Sequence, residues 1–276
     1  MARSRGGEMN KDIVWISGIL GFLLMGLAGL SLLSAGQATA EQKELETYLK
    51  NAKFGPSDIQ KGGLGGRNEP WRISLNDGKT ARKGIFKYID RPERRLNPVS
   101  YKREIAAYEL SKLFATDIVP PVIEREILGM KGSLQIMVEG CVSERDRLVL
   151  KSEPPDPQAL ENKMEELNVF ENLTCCPRDP KDVLIHKNTW KVCRVDFMEA
   201  FDTLSELLPE TTISRCSRRL YQGLQLDPKV IETALKSYLT TKEIKALLDR
   251  RTLILDKLRG LIKDKGEAAV LFEIKP

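Results

Sequence analysis

Lys87 ends an apolar run, Gly84–Lys87, and Glu104 follows in the first turns of a helical segment that opens at Ser100. Asp196 ends a second apolar run, Val192–Val195, and stands before Phe197. One cation and two carboxylates placed at the ends of strands and the start of a helix suit the handling of phosphate. The ammonium engages phosphate oxygens, the glutamate holds the ammonium, and the aspartate holds a cation such as Mg²⁺. Gly62, Gly63, Gly65 and Gly66 could form a turn whose backbone N–H groups approach phosphate, since glycine adds no bulk and accepts positive φ. Asp179 and Asp182, in CCPRDPKDVLI, are further carboxylates, suited to accepting a proton and to holding a metal. Each residue also has a plainer reading. Lys87 and Glu104 would face water, the glycines would form a surface loop, and Asp196 would cap a helix starting near Met198.

The elements that would position these residues can be read from periodicity. A helix is expected at Glu41–Ala52. Trp71–Leu75 alternates apolar and polar, Asn76-Asp77-Gly78 is a turn signal, and Gly84–Ile89 completes a β-hairpin. Ser100 is a candidate N-cap for a helix to Phe114, with Tyr101, Ile105, Tyr108 and Leu113 on its apolar face. Strands follow around Val122–Leu128 and Leu134–Val138, with Met130-Lys131-Gly132 as their turn. Beyond Gly140 the character changes. Glu153–Pro157 reads as a loop, Pro157–Thr174 as a helix, and Val183–Ile185 with Trp190–Val195 as a small hairpin closed at His186-Lys187-Asn188. Asp227 can cap VIETALKSYL, and Thr240-x-x-Glu243 is a capping box before a long helix to about Ile262. Strands and one helix, then a loop, then mostly helices define an α+β class, a two-lobed protein-kinase-like fold: an N-lobe at 41–140 built on an antiparallel sheet and a helical C-lobe at 141–276. Segment 172–197 would carry the catalytic loop.

The chain has 276 residues, 41% of them hydrophobic and 30% charged, with a net charge of +5. That suits one two-lobed domain or two small ones. The mixed charge, without a long basic run interleaved with aromatics, argues against a nucleic-acid partner. Residues 1–40 stand apart. Arg3, Arg5 and Lys11 precede an uncharged run, Ile13–Leu33, and Ala38 and Ala40 bracket an A-x-A cleavage pattern. This reads as a signal peptide cut before Glu41. The run also covers the ~20 residues that span a bilayer, so residues 13–33 as an uncleaved membrane anchor are the other reading. Either way the domain is expected to be exported, periplasmic or extracellular, or anchored with the domain outside; a cytoplasmic-facing anchor is the alternative. The five cysteines include the adjacent pair Cys175-Cys176 and form no C-x-x-C, and there is one histidine, His186. Buried thiols are expected rather than a zinc site.

The segments KGIFKYID, SYKREIAAYELSKLF, VPPVIEREILGMKGSLQIMVEG, NVFENLT and WKVCRVDFMEAF together resemble a group of bacterial proteins with an atypical kinase-like fold. That group is distantly related to phosphatidylinositol 3- and 4-kinase-like lipid kinases and to secretory-pathway kinases. The resemblance spans about residues 58–262. It implies ATP and Mg²⁺ as cofactors, and a nucleotide held by Lys87, Glu104 and the glycines, with Gln135–Gly140, and so Glu139, beside the adenine. It also implies Asp182 and Asp196 on the metal, and an unknown protein, lipid or sugar hydroxyl as acceptor. The catalytic loop departs from the family pattern D-R-N-x-G-N. Asp182 falls at the last Asn, Pro177 falls where the proton acceptor should be, and the glycine is missing. Asp179 is the nearest carboxylate for that role, and the family's metal-holding Asp-Phe-Gly becomes Asp196-Phe197-Met198. Two readings stay open, a kinase using Asp179 or a pseudokinase or envelope binding module that keeps the fold.

Overall fold

A computed structural model describes residues 39–62, 68–92, 98–209 and 212–274. These belong to one unit, Ala35–Pro276. The signal or anchor reading of residues 1–38 lies outside the described residues. Among the described residues, no helix is long and apolar enough to cross a membrane.

The elements run in chain order as α1 (Ala40–Asn51), β1 (Ile59–Lys61), β2 (Trp71–Asn76), β3 (Ala81–Lys87), the two-residue strands β4 (Asp90–Arg91) and β5 (Val99–Ser100), α2 (Tyr101–Leu113), β6 (Val122–Ile127) and β7 (Met130–Ile136). They continue with β8 (Cys141–Ser143), α3 (Glu144–Val149), α4 (Pro157–Thr174), β9 (Val183–His186), β10 (Val192–Arg194), β11 (Cys216–Ser217), α5 (Arg218–Leu224), α6 (Pro228–Leu235), α7 (Thr241–Lys265), α8 (Glu267–Val270) and β12 (Leu271–Phe272).

Five strands form an antiparallel sheet in the order β1-β2-β3-β7-β6. The edge strand β1 precedes the glycine cluster, so residues 62–70, which carry that cluster, connect β1 to β2. Because strand side chains alternate between faces, one sheet face carries Trp71, Ile73, Leu75, Phe86, Leu134 and Ile136. These pack with Tyr48 and Leu49 of α1 in a core of their own. Arg125 on β6 donates to the carbonyls of Leu49 at 2.7 Å and Ala52 at 2.8 Å, satisfying groups that the end of α1 leaves open. The other sheet face carries Lys87, Ile85 and, opposite Ile85, Gln135.

The β6–β7 turn sits at Leu128-Gly129, not at Met130–Gly132. A two-residue hairpin turn of this hand needs positive φ at both positions. Leu128 (φ 53°) and Gly129 (φ 78°) supply it, and Met130 already pairs with Ile127. Gly132 is therefore inside β7 for a packing reason. A Cβ there would lie 2.4 Å from the Lys87 carbonyl oxygen and 2.7 Å from the Phe86 ring.

Ser100 caps α2, its hydroxyl accepting from the Lys102 N–H at 3.2 Å. The helix is not simply amphipathic. Arg103, Glu104, Ala106, Ala107, Leu110 and Ser111 are buried along with Tyr101, Ile105 and Tyr108, because α2 lies between the sheet and α6. Its apolar residues join the second core, shared with α4 to α7. The helix expected at 157–174 is found there, with Asp156 as N-cap and Pro157 at the first position. The capping box at Thr240 and Glu243 opens α7 as expected. No helix starts at Met198, so Asp196 caps none. β8 and α3 were not anticipated. β8 pairs with β9 to make the hairpin a three-stranded sheet, order β10-β9-β8.

Candidate functional site

Lys87 is the last residue of β3 and Glu104 lies in the first turn of α2, both buried. The Lys87 Nζ is 2.5 Å from Glu104 Oε1 and 2.9 Å from Asp196 Oδ1. Glu104 Oε1 also accepts from the backbone N–H of Phe197 at 3.1 Å. One glutamate oxygen thus ties the strand lysine, helix α2 and the chain just after β10 to a single point. Asp196 has φ 65°, the left-handed region that a non-glycine residue adopts at a cost. Its side chain remains 45% exposed, so its carboxylate is open to a ligand while bonded to Lys87.

The charges are consistent with that geometry. Burial works against the Lys87 ammonium, but Glu104 and Asp196 outweigh it and hold it above the usual lysine range. Burial likewise opposes the Asp196 charge, and Lys87 with Arg194 outweighs it, holding the carboxyl below the usual range. Glu104 goes the other way. Burial, with Asp196 adding, pushes it up against the pull of Lys87 and the Phe197 N–H. Its Oε2 is buried with no hydrogen-bond partner among the described residues.

The other sequence candidates fall in different places. Asp182 precedes β9, and its Oδ2 is 3.2 Å from Arg194 Nη1. Burial pushes its carboxyl up, Arg194 opposing and Asp196 and Asp179 adding. Asp179 is exposed, its carboxylate accepting from the Lys181 N–H at 2.9 Å, while its carbonyl accepts from the Asp182 N–H at 3.0 Å. Gly62 follows β1 with φ 71° and space around its Cβ position. Gly63, Gly65 and Gly66 lie outside the described residues. Glu139 lines a groove of about 380 Å³ with Arg82, Asp117, Cys141 and His186; Lys87, Glu104 and Asp196 do not line it. The structure therefore gathers Lys87, Glu104 and Asp196, sets Asp182 next to them through Arg194, and leaves Asp179 at the surface. The five cysteines are free thiols, all buried except the half-buried Cys141. Burial pushes Cys176 and Cys193 up to about 12.

Arg194 is the residue that sequence reasoning missed. It is 2% exposed, within the run Val192–Val195 that reads as an apolar strand. Besides Asp182 it contacts Glu171 Oε1 at 3.5 Å and Cys176 Sγ at 3.6 Å, donates to the Val195 carbonyl, and lies 5.6 Å from the Phe197 ring centroid. Glu171, in turn, is 2.7 Å from Arg178. The signal was there: a charge inside a buried strand requires a buried partner.

Fit to a metal can be tested on the donors. Among the described residues no group of three or more His, Cys, Asp or Glu side chains is arranged to hold a metal ion. Mg²⁺ at phosphate sites is, however, bound by one or two carboxylates together with the phosphates themselves. Asp196, partly exposed, fits as one such carboxylate. Asp182, paired with a buried guanidinium, does not fit as a second.

No family model matches the chain, and no curated protein matches it. Among solved structures it is similar to that of Fam20 from hydra, determined with a sugar, at a TM-score of 0.63 and 16% identity, over 88% of this chain and 96% of that one. The antiparallel sheet, its flanking helix and the helices that follow thus form a kinase-like fold.

Proposed function

We propose that this chain is a kinase-like phosphotransferase that holds ATP at Lys87 and passes its terminal phosphoryl group to a hydroxyl acceptor. The observation that carries the reading is the Lys87 ammonium at 2.5 Å from Glu104 and 2.9 Å from Asp196. A strand lysine paired with a helix glutamate is the arrangement that kinase chemistry requires in place before transfer. The glycine-bearing connection from β1 to β2 would cover the phosphates, and Gln135–Gly140 would lie beside the base. A divalent cation at Asp196 would neutralise phosphate charge. Asp179, exposed beside Asp182, would accept the proton of the incoming hydroxyl. The quoted segments support the finer kinship with bacterial atypical kinases and lipid kinases, and residues 1–40 support export or anchoring. The sugar in the hydra Fam20 structure makes a carbohydrate hydroxyl the first acceptor class to try, ahead of protein and lipid.

The second reading, a nucleotide-binding pseudokinase, is favoured by the catalytic loop. Asp179 already accepts from the Lys181 N–H, and Asp182 is taken by Arg194. Loss of a general base typically costs ~10²–10⁴ in rate.

Thermal unfolding of the chain with and without Mg-ATP tests the shared part. Saturation a hundredfold above Kd should stabilise it by ~2.7 kcal/mol, an effect absent in Lys87→Met and Asp196→Ala. A wild-type chain that does not respond overturns both readings. Transfer of labelled γ-phosphate that Asp179→Asn removes selects the phosphotransferase; nucleotide binding without transfer selects the pseudokinase.

A further inference from the structure

In a kinase-like site two carboxylates can hold one divalent cation between them or one each, together with the phosphates. Here the two carboxylates have different surroundings. Asp196 is 45% exposed on its side chain and shares only one of its oxygens, Oδ1, with Lys87 in a 2.9 Å contact. Asp182 is 3.2 Å from a guanidinium that is itself 2% exposed. That guanidinium cannot withdraw to make room. Its Nη1 faces Asp182 and donates to the Val195 carbonyl, its Nη2 lies 3.6 Å from Cys176 Sγ, its Nε is in ion-pair range of Glu171 at 3.5 Å, and Phe197 lies beside it. Arginine stays charged at any working pH. The backbone reinforces the pairing, since the Val195 N–H donates to the Asp182 carbonyl at 2.9 Å.

A count of charges gives the same division. Lys87 offsets Glu104, Arg178 offsets Glu171, and Arg194 offsets Asp182. Asp196 shares Lys87 with Glu104 and, like the exposed Asp179, has no cation of its own. A second divalent cation at Asp182 would sit against the fixed positive charge of Arg194, with its ligand already bonded to that charge.

We propose that Asp182 is the counter-ion of Arg194 rather than a metal ligand, so that the site takes one divalent cation, at Asp196, and Arg194 supplies the positive charge that a second cation would bring. This rests on the nucleotide-binding reading above. It makes Arg194 and Asp182 a fixed strut between the catalytic-loop segment and β10, the strand that leads to Asp196.

The test is equilibrium dialysis of the full chain against Mn²⁺ and a non-hydrolysable ATP analogue, counting both per mole of chain. The expected result is one Mn²⁺ retained per nucleotide at saturating Mn²⁺. Asp182→Asn should leave that ratio and the Mn²⁺ affinity within about twofold of wild type, and Asp196→Asn should abolish Mn²⁺ retention. Two Mn²⁺ per nucleotide in the wild type, falling to one in Asp182→Asn, would overturn the proposal while leaving nucleotide binding intact. Retention of neither nucleotide nor Mn²⁺ would remove the functional reading itself, and this inference with it.

Discussion

Removing the Lys87 ammonium would leave Glu104, 1% exposed, as a buried carboxylate with only the Phe197 N–H to hold it. Breaking a buried pair from one side costs about 3–5 kcal/mol, because the survivor is uncompensated. Lys87→Met should therefore lower unfolding stability by that order, and adding Glu104→Gln should recover part of it, as read by urea denaturation. Equal stability of the single and double variants would show that Glu104 does not depend on Lys87. Asp196 makes a pH prediction. Its folded-state pKa lies below the unfolded value, so its charge contributes stability above the usual carboxylate range, near pH 4, and loses that contribution as pH falls through the folded value. Urea midpoints of wild type and Asp196→Asn should accordingly differ at neutral pH, begin to converge near pH 4 and meet only below the lowered folded-state value.

Element by element, the legible parts were those whose signal is local. Ser100, Asp227, and Thr240 with Glu243 each cap a helix through their own side chains and announce it in their own residues. What did not show is what long-range packing decides. β1 has no alternation of its own and is a strand because it pairs with β2; β8 is one because it pairs with β9. Lys87, Glu104 and Asp196 were legible as strand-end and helix-start residues, whereas the Arg194–Asp182 pairing, made by two strands meeting, was not. Gly132 shows the same limit. It read as a turn glycine, but it sits in β7 because Phe86 and the Lys87 carbonyl leave no room for a Cβ. Gly132→Ala should cost about 1–3 kcal/mol through overpacking, seen as a lower melting temperature. Since the clash is with the Lys87 backbone, the nucleotide-induced shift should fall more than in Gly260→Ala on α7, where no atom lies within 4 Å of the new Cβ.

Across the whole described unit, the site depends on α2 being held between the sheet and α6. Its Glu104 points to the sheet lysine, while the adjacent Arg103 points the other way. Arg103 Nη2 is 2.8 Å from Glu243 Oε1, with both side chains almost fully buried. Arg103 also donates to the carbonyls of Pro98 at 3.0 Å and Met198 at 3.3 Å. Consecutive residues on one helix thus bind the segment after Asp196 from two sides, Glu104 through the Phe197 N–H and Arg103 through the Met198 carbonyl. Glu243 also closes the capping box of α7, its Oε2 accepting from the Thr240 N–H at 2.7 Å. Loss of Arg103 would leave a buried carboxylate without its cation at the start of the longest described helix and remove one of the two donors to the Met198 carbonyl behind Asp196. Arg103→Met should cost about 3–5 kcal/mol, and its effect should reach the site. In chemical denaturation the Arg103→Met, Glu243→Gln pair should regain stability relative to Arg103→Met alone. The response to Mg-ATP should stay weakened in both, because in each the Met198 carbonyl has lost its Arg103 donor and keeps only the Ser100 N–H, at 3.0 Å. A fully restored nucleotide response in the double variant would show that Arg103 serves α7 only and does not position the residues that follow Asp196.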